Sequence, residues 1–262
     1  MPDVYSNGLF GRLFALLILV VCLIAVSRNG GGSSFESQAG ASTKSPVQEP
    51  TITAQAQANQ PLAITSITSA GTSPDFQGVE FAFYVINVSP RPILAYAIRQ
   101  DLTAGGKQSG GGVTLYNPQL ANSVLRPNQS VLISGTADLT SDNDNKITLS
   151  VDYVEFSDGT RWGADSVKSS ERVAGQRAAA TMVGKKLLEV LKAGKNDDVT
   201  KAIEDGKVII QPPGIRSQEW NEGFSAGRAS VLNRLKRANE QHGLKELELE
   251  LRRIGETFKE NE

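Results

Sequence analysis

From Leu13 to Val26 this chain is apolar without a break, and that run of 14 residues puts the protein at a membrane. Alone it is shorter than the roughly 20 residues a spanning helix needs. Extended back through Leu9 and Phe10 it takes in Arg12, which can snorkel to the headgroups, and reads as an anchor over residues 9–27 behind a short tail of residues 1–8. A cleaved signal is the alternative. Ala25 and Ser27 are small residues at the positions a signal peptidase reads, which would release a secreted chain near Ser27. The strength of the Leu/Ile/Val core favours retention, whereas lipid attachment at Cys22 is disfavoured by Val21 before it and the apolar Leu23–Val26 after it.

Residues 28–60 are rich in Gly, Ser, Gln, Ala and Thr, with too little apolar surface to fold, and read as a flexible, disordered linker. A coil of that composition reaches about 30 Å. Arg12 and Arg28 flank the span and balance the positive-inside rule, so the long neutral stalk decides the expected topology: single-pass, with an extracytoplasmic body.

The 27 Lys+Arg against 28 Asp+Glu leave a net charge of −1, so nucleic acid is not an expected partner. Cys22 is the single cysteine, which excludes an intramolecular disulfide and leaves the soluble part to be held by its core.

Residues 61–163 read as an antiparallel β-sandwich. Leu62–Thr68, Val79–Val88, Ile93–Ile98, Val113–Tyr116, Ser123–Leu125 and Ser130–Ser134 are β-prone, and Ser89-Pro-Arg-Pro92 ends the second of them because proline cannot continue a ladder. The Gly-rich stretch Ala104–Gly112 is expected as an open loop. In Ile147–Tyr153, strict alternation puts Ile147, Leu149, Val151 and Tyr153 on one face. Asp158-Gly159 then reads as a two-residue hairpin with positive φ at both positions, and Trp162 closes the return strand. Seven or so short strands at this spacing suggest an immunoglobulin-like domain of about 100 residues. The strand–turn–strand from Phe83 to Ile98 resembles small immunoglobulin-like modules of bacterial envelope proteins, a likeness that implies binding or spacing rather than chemistry.

Residues 169–262 read as helical. Val173, Ala180, Val183, Leu187 and Leu191 recur at helical spacing up to Gly194; Asp197-Asp198 opens a short helix; and Ser217 opens a longer one with Trp220, Phe224, Gly227, Val231, Leu235 and Ala238 on one face. Past His242-Gly243 the register changes, and Leu244, Leu247, Leu251, Ile254 and Phe258 form a short coiled-coil seam. A seam this short needs a partner surface, either the Trp220–Ala238 face through an antiparallel reversal or a second chain through self-association.

Chemistry is sparse. His242 is the only histidine, which excludes a His-paired nucleophile or a multi-His metal site, and its place at a helix end suits the dipole. Asp138 and Asp142-Asn-Asp-Asn145 offer alternating oxygens but lack the Gly and distal Glu of an EF-hand, so a polar turn is expected. Gly105-Gly-Lys107 and Gly110–Gly112 lack phosphate-loop spacing. Lys185, Lys186, Lys192, Arg228, Arg234, Lys236 and Arg237 form a basic patch diluted by glutamates, and Asn87-Val-Ser89 and Asn128-Gln-Ser130 match the glycosylation triplet. Asp152, Glu155 and Asp158 are the carboxylates an envelope hydrolase would use. No catalytic, cofactor-binding or metal-binding residue is assigned. The expected role is a membrane-tethered interaction or scaffold protein without catalysis; an envelope enzyme, or a cytoplasm-facing protein whose basic helices contact anionic lipid or nucleic acid, are the alternatives.

Overall fold

The computed structural model describes residues 49–72, 78–117, 120, 123–139, 145–208, 210 and 214–257. The anchor at 9–27 and the linker as far as residue 48 lie outside them. Among the described residues no helix is long and apolar enough to cross a membrane. The described residues form eight strands followed by three helices: β1 (Thr51–Gln55), β2 (Leu62–Thr72), β3 (Gly78–Asn87), β4 (Ile93–Ala104), β5 (Lys107–Tyr116), β6 (Ser130–Asp138), β7 (Asn145–Phe156), β8 (Arg161–Trp162), α1 (Ser169–Lys192), α2 (Asn196–Glu204) and α3 (Gln218–Thr257).

The strands make two sheets. One has five strands in the order β1-β7-β4-β5, with β8 also on β7; the other has three, β2-β3-β6. Between them lies one apolar core. Val79, Phe81, Phe83 and Val85 alternate inward from β3 and meet Tyr96, Ile98, Ile147, Leu149 and Val151 of the larger sheet. The period of two in these strands is the physical reason both sheets find each other: each has one apolar face to bury. β1 departs from the expectation of a stalk to residue 60, pairing parallel to β7 with Ile52 opposite Ile147. A single half-buried isoleucine in Thr51-Ile-Thr-Ala-Gln is too weak a signal to read from sequence.

Three further local expectations are corrected. The glycine-rich stretch is mostly strand: Gly105 and Gly106, at φ 55° and 75°, turn the chain between Ala104 and Lys107, so the two-residue hairpin is here. In β5 the backbone passes so close to β4 that a Cβ on Gly111 would sit 2.6 Å from the Gln100 carbonyl oxygen. At Asp158-Gly159 only the glycine has positive φ, 81°. Residues 157–159 are a three-residue loop closed by Phe156 N–H donating to Thr160 O at 3.0 Å. Lastly, β7 slips register between its partners Ala97 and Ile98, leaving Asp152 bulged. The bulge inverts the alternation. Val151 and Val154 both face the sandwich core, while Tyr153 turns to the opposite face with Ala95, Ala97 and Val173. Ser123–Leu125 makes only an isolated bridge, Ile93 with Leu125.

The helices follow their sequence signals closely. α1 stops before Gly194 at φ 76°, and Ser217 caps α3 by accepting the Trp220 N–H on its Oγ at 3.1 Å. α3 is interrupted at Gly243, φ 72° and ψ −169°, into arms 218–242 and 244–257. Arg234 pairs with Glu250 across that break. In an unbroken helix those residues would stand about 24 Å apart, so the arms fold back on each other. Leu247, Leu251 and Ile254 are fully buried with Val183, Leu187, Val231 and Leu235, so the heptad seam is filled within the chain. Leu244 is 40% exposed and Phe258 lies outside the described residues.

The first arm of α3 meets α1 backbone to backbone. A Cβ on Gly223 would lie 2.1 Å from Arg172 O, one on Gly175 2.1 Å from Trp220 O, and one on Gly227 2.5 Å from Gln176 Cα. Residue 172 faces 223 and 176 faces 227, so the two helices run in the same direction at this contact.

Candidate functional site

The chemistry-bearing side chains converge where α1 crosses the outer face of the five-stranded sheet. Asp152, placed there by its bulge and 5% exposed, accepts from Ser166 N–H at 3.0 Å, Ser166 Oγ at 2.5 Å and Val167 N–H at 3.4 Å. Arg99 Nη1 donates to the same Ser166 hydroxyl at 3.1 Å. About two turns into α1, Arg177 Nη1 pairs with Glu155 at 2.7 Å, and Tyr153 donates its hydroxyl to the other Glu155 oxygen at 2.7 Å. Burial, followed by that hydrogen bond, pushes the Tyr153 phenol well above its ordinary pKa. Asn117 Nδ2 donates to Gln176 Oε1 at 3.1 Å, and Arg234 reaches the Leu120 carbonyl. Arg177 Nε and Nη2 and Asn117 Oδ1 are buried and meet no hydrogen-bond partner among the described residues.

Of the three carboxylates marked by the sequence, two belong to this seam. Strand alternation alone predicts Asp152 on a solvated face, but α1 covers that face, and Asp152 and Glu155 are both buried. Asp158 stands apart in the β7–β8 loop. Thr160 hydrogen bonds, then Arg91 at 3.1 Å, hold its exposed carboxyl down to about 2. Arg99, Ser166, Arg177 and Asn117 were not singled out from sequence, because nothing in their spacing shows that a helix lies across this sheet.

Elsewhere the sequence candidates scatter. His242 is exposed at the end of the first arm of α3. Residues 141–144 lie outside the described residues, while Asp138 ends β6 and Asn145 begins β7, buried. Among the described residues no group of three or more His, Cys, Asp or Glu is placed to hold a metal ion. Arg234 leaves the basic patch for its buried pair with Glu250, and Lys236 is 3.9 Å from Glu240. Asn87 is fully buried: its amide donates to Arg91 O at 2.8 Å and Leu125 O at 2.9 Å, and its oxygen accepts from Ser89. It is the clamp of the Pro-rich turn. Asn128 remains exposed at φ 60°.

Two surfaces stand open. A cleft of about 240 Å³ lies among Leu191, Lys192, Asn196, Leu244, Lys245 and Glu248. The outer face of the three-stranded sheet is the second. Tyr84 stands at its centre, 41% exposed, with Thr65 opposite on β2 and Leu132, 54% exposed, opposite on β6. The flanking rows, Ala63-Ile86-Ser130 and Thr68-Ala82-Ser134, carry no charge.

No protein-family model matches this chain, and no curated protein matches it. Among solved structures, a Bordetella pertussis protein provisionally named ApaA is similar at 14% identity and TM-score 0.27, covering 39% of this chain and 87% of that one. A Northeast Structural Genomics Consortium target is similar at 9% identity and TM-score 0.29, covering 39% and 79%. At such scores neither likeness bears on function.

Proposed function

We propose that this chain is a membrane-tethered, extracytoplasmic interaction or scaffold protein, anchored through residues 9–27, with the β region as its binding module. The observation that carries the reading is an uncharged stretch of the outer face of the three-stranded sheet, with exposed Glu80 and Asp138 beyond it on the same face. Nine neighbouring positions centred on Tyr84 bear no charge, with Tyr84 and Leu132 exposed, an uncommon use of a solvated sheet face. The other sheet covers its outer face with α1 and spends Asp152 and Glu155 on holding it there.

An immunoglobulin-like assignment fits the strand order. β8-β7-β4-β5 forms one sheet and β2-β3-β6 the other, with hairpin and cross-sheet connections in the sense of that fold and β1 added at the β7 edge.

Photo-crosslinking from position 84 or 132 of the full chain in its native membrane tests the role, with exposed Lys186 as the comparison position. The reading expects discrete adducts from 84 and 132, lost on Leu132→Glu; adducts from neither position contradict it. For topology, protease added to intact spheroplasts should degrade the chain beyond residue 60, and full protection would reverse the orientation.

A further inference from the structure

We infer that the helical region is a latched arm, which docks on and swings away from the five-stranded sheet about the joint at residues 163–168. The inference is independent of what the sheet faces bind. Three observations carry it.

The first is that the two large apolar clusters share no residue. What joins them is a small cluster of Ala95, Ala97, Tyr153 and Val173 with half-buried Val113 and Leu115 against it, and two of its four buried side chains are single methyl groups. Apolar burial therefore contributes little to docking compared with folding of either region.

The second is that docking rests on charge. Asp152 gathers the joint by accepting from Ser166 and Val167, and Glu155 takes Arg177 of α1. Both carboxylates sit on β7, on either side of Tyr153, and each partner sits on the helical side of Gly163.

The third is that the docked state carries its own opposition. Arg177 Nε and Nη2 and Asn117 Oδ1 are buried and without partners among the described residues, groups that water would satisfy once the face opened. The joint itself holds two non-glycine residues in the left-handed region, Asp165 at φ 51° and Lys168 at φ 53°. Undocking relaxes all of these. A contact strengthened by a few charge-assisted bonds and weakened by stranded donors and a strained joint is an element with two accessible states.

The test uses the full chain carrying Cys22→Ser, with spin labels at exposed positions 136 on β6 and 230 on α3. Wild type is expected to give a principal distance and a minor longer one. Asp152→Asn with Arg177→Met should raise the longer population at least about fivefold while amides in both cores stay protected. A second variant, Asn117→Cys with Gln176→Cys, places thiols behind side-chain tips that now meet at 3.1 Å, to be spanned by a short reducible bis-maleimide. Crosslinked, it should slow amide exchange across 163–168, and reduction should restore it. Unchanged distances in the latch variant with both cores protected would overturn the inference, as would loss of protection in both cores together, or exchange at 163–168 indifferent to the crosslink.

Discussion

The β region and the helical region build their cores by opposite means. Between the sheets, large side chains fill the space: Phe81 and Phe83 stack with centroids 6.1 Å apart, Tyr96 stacks on Tyr116 at 4.9 Å, and Phe83 and Tyr96 are fully buried. Between α1 and the first arm of α3, absence of side chain is what matters, because Gly175, Gly223 and Gly227 let two backbones touch. The lesson is one of sign. A core made by volume is damaged by removing atoms, and a crossing made by close approach is damaged by adding them.

The predictions follow that asymmetry. Phe83→Ala removes a fully buried ring from the sandwich and should destabilise it by about 4 kcal/mol in urea melts of the full chain. Gly223→Val forces carbon into the Arg172 carbonyl, a backbone group that no rotamer change can clear, for about 3 kcal/mol. If the enlargement were tolerated and the truncation were not, the helical crossing would be looser than described. Ser217→Ala removes the hydroxyl that caps α3 and should cost about 1 kcal/mol, since the Trp220 N–H loses its acceptor. Gly112→Ala, where an added methyl meets nothing within 4 Å, should change stability by no more than about 0.5 kcal/mol, which separates glycines that pack from glycines that merely occur.

The smallest effect is the dependence on pH at the β7–β8 loop. Asp158 titrates at about 2 in the folded chain, below its ordinary value, so its contribution is complete above about pH 4 and is lost as pH falls through 2. Asp158→Asn should therefore flatten the fall in melting temperature over that window, and an unchanged slope would assign the acid sensitivity to other carboxylates.

Much of this arrangement is legible in the sequence, and the illegible parts share a cause. Local signals held: the Ser217 cap, the stops at Gly194 and Gly243, the alternation of β3, and the reversal that buries Leu247 and Leu251 against Val231 and Leu235. What failed depended on contacts distant in sequence. Asp152 reads as a solvated strand residue until a bulge and a covering helix make it a buried acceptor. Gly110–Gly112 read as a loop because the reason for the glycine at 111 is the β4 backbone at Gln100. The two carboxylates of the seam stand out in the sequence, while their partners, Ser166 for Asp152 and Arg177 for Glu155, give no signal of their own.

The central claim is that the described chain holds two separate cores joined by a polar seam. Native-state hydrogen exchange of the full chain under low denaturant tests it most directly, comparing wild type with Phe83→Ala. The account predicts that Phe83→Ala speeds exchange at β3, β4 and β7 while amides around Leu187, Leu235 and Leu251 keep most of their protection. A single opening transition, in which all of these amides lose protection by the same factor, would contradict it.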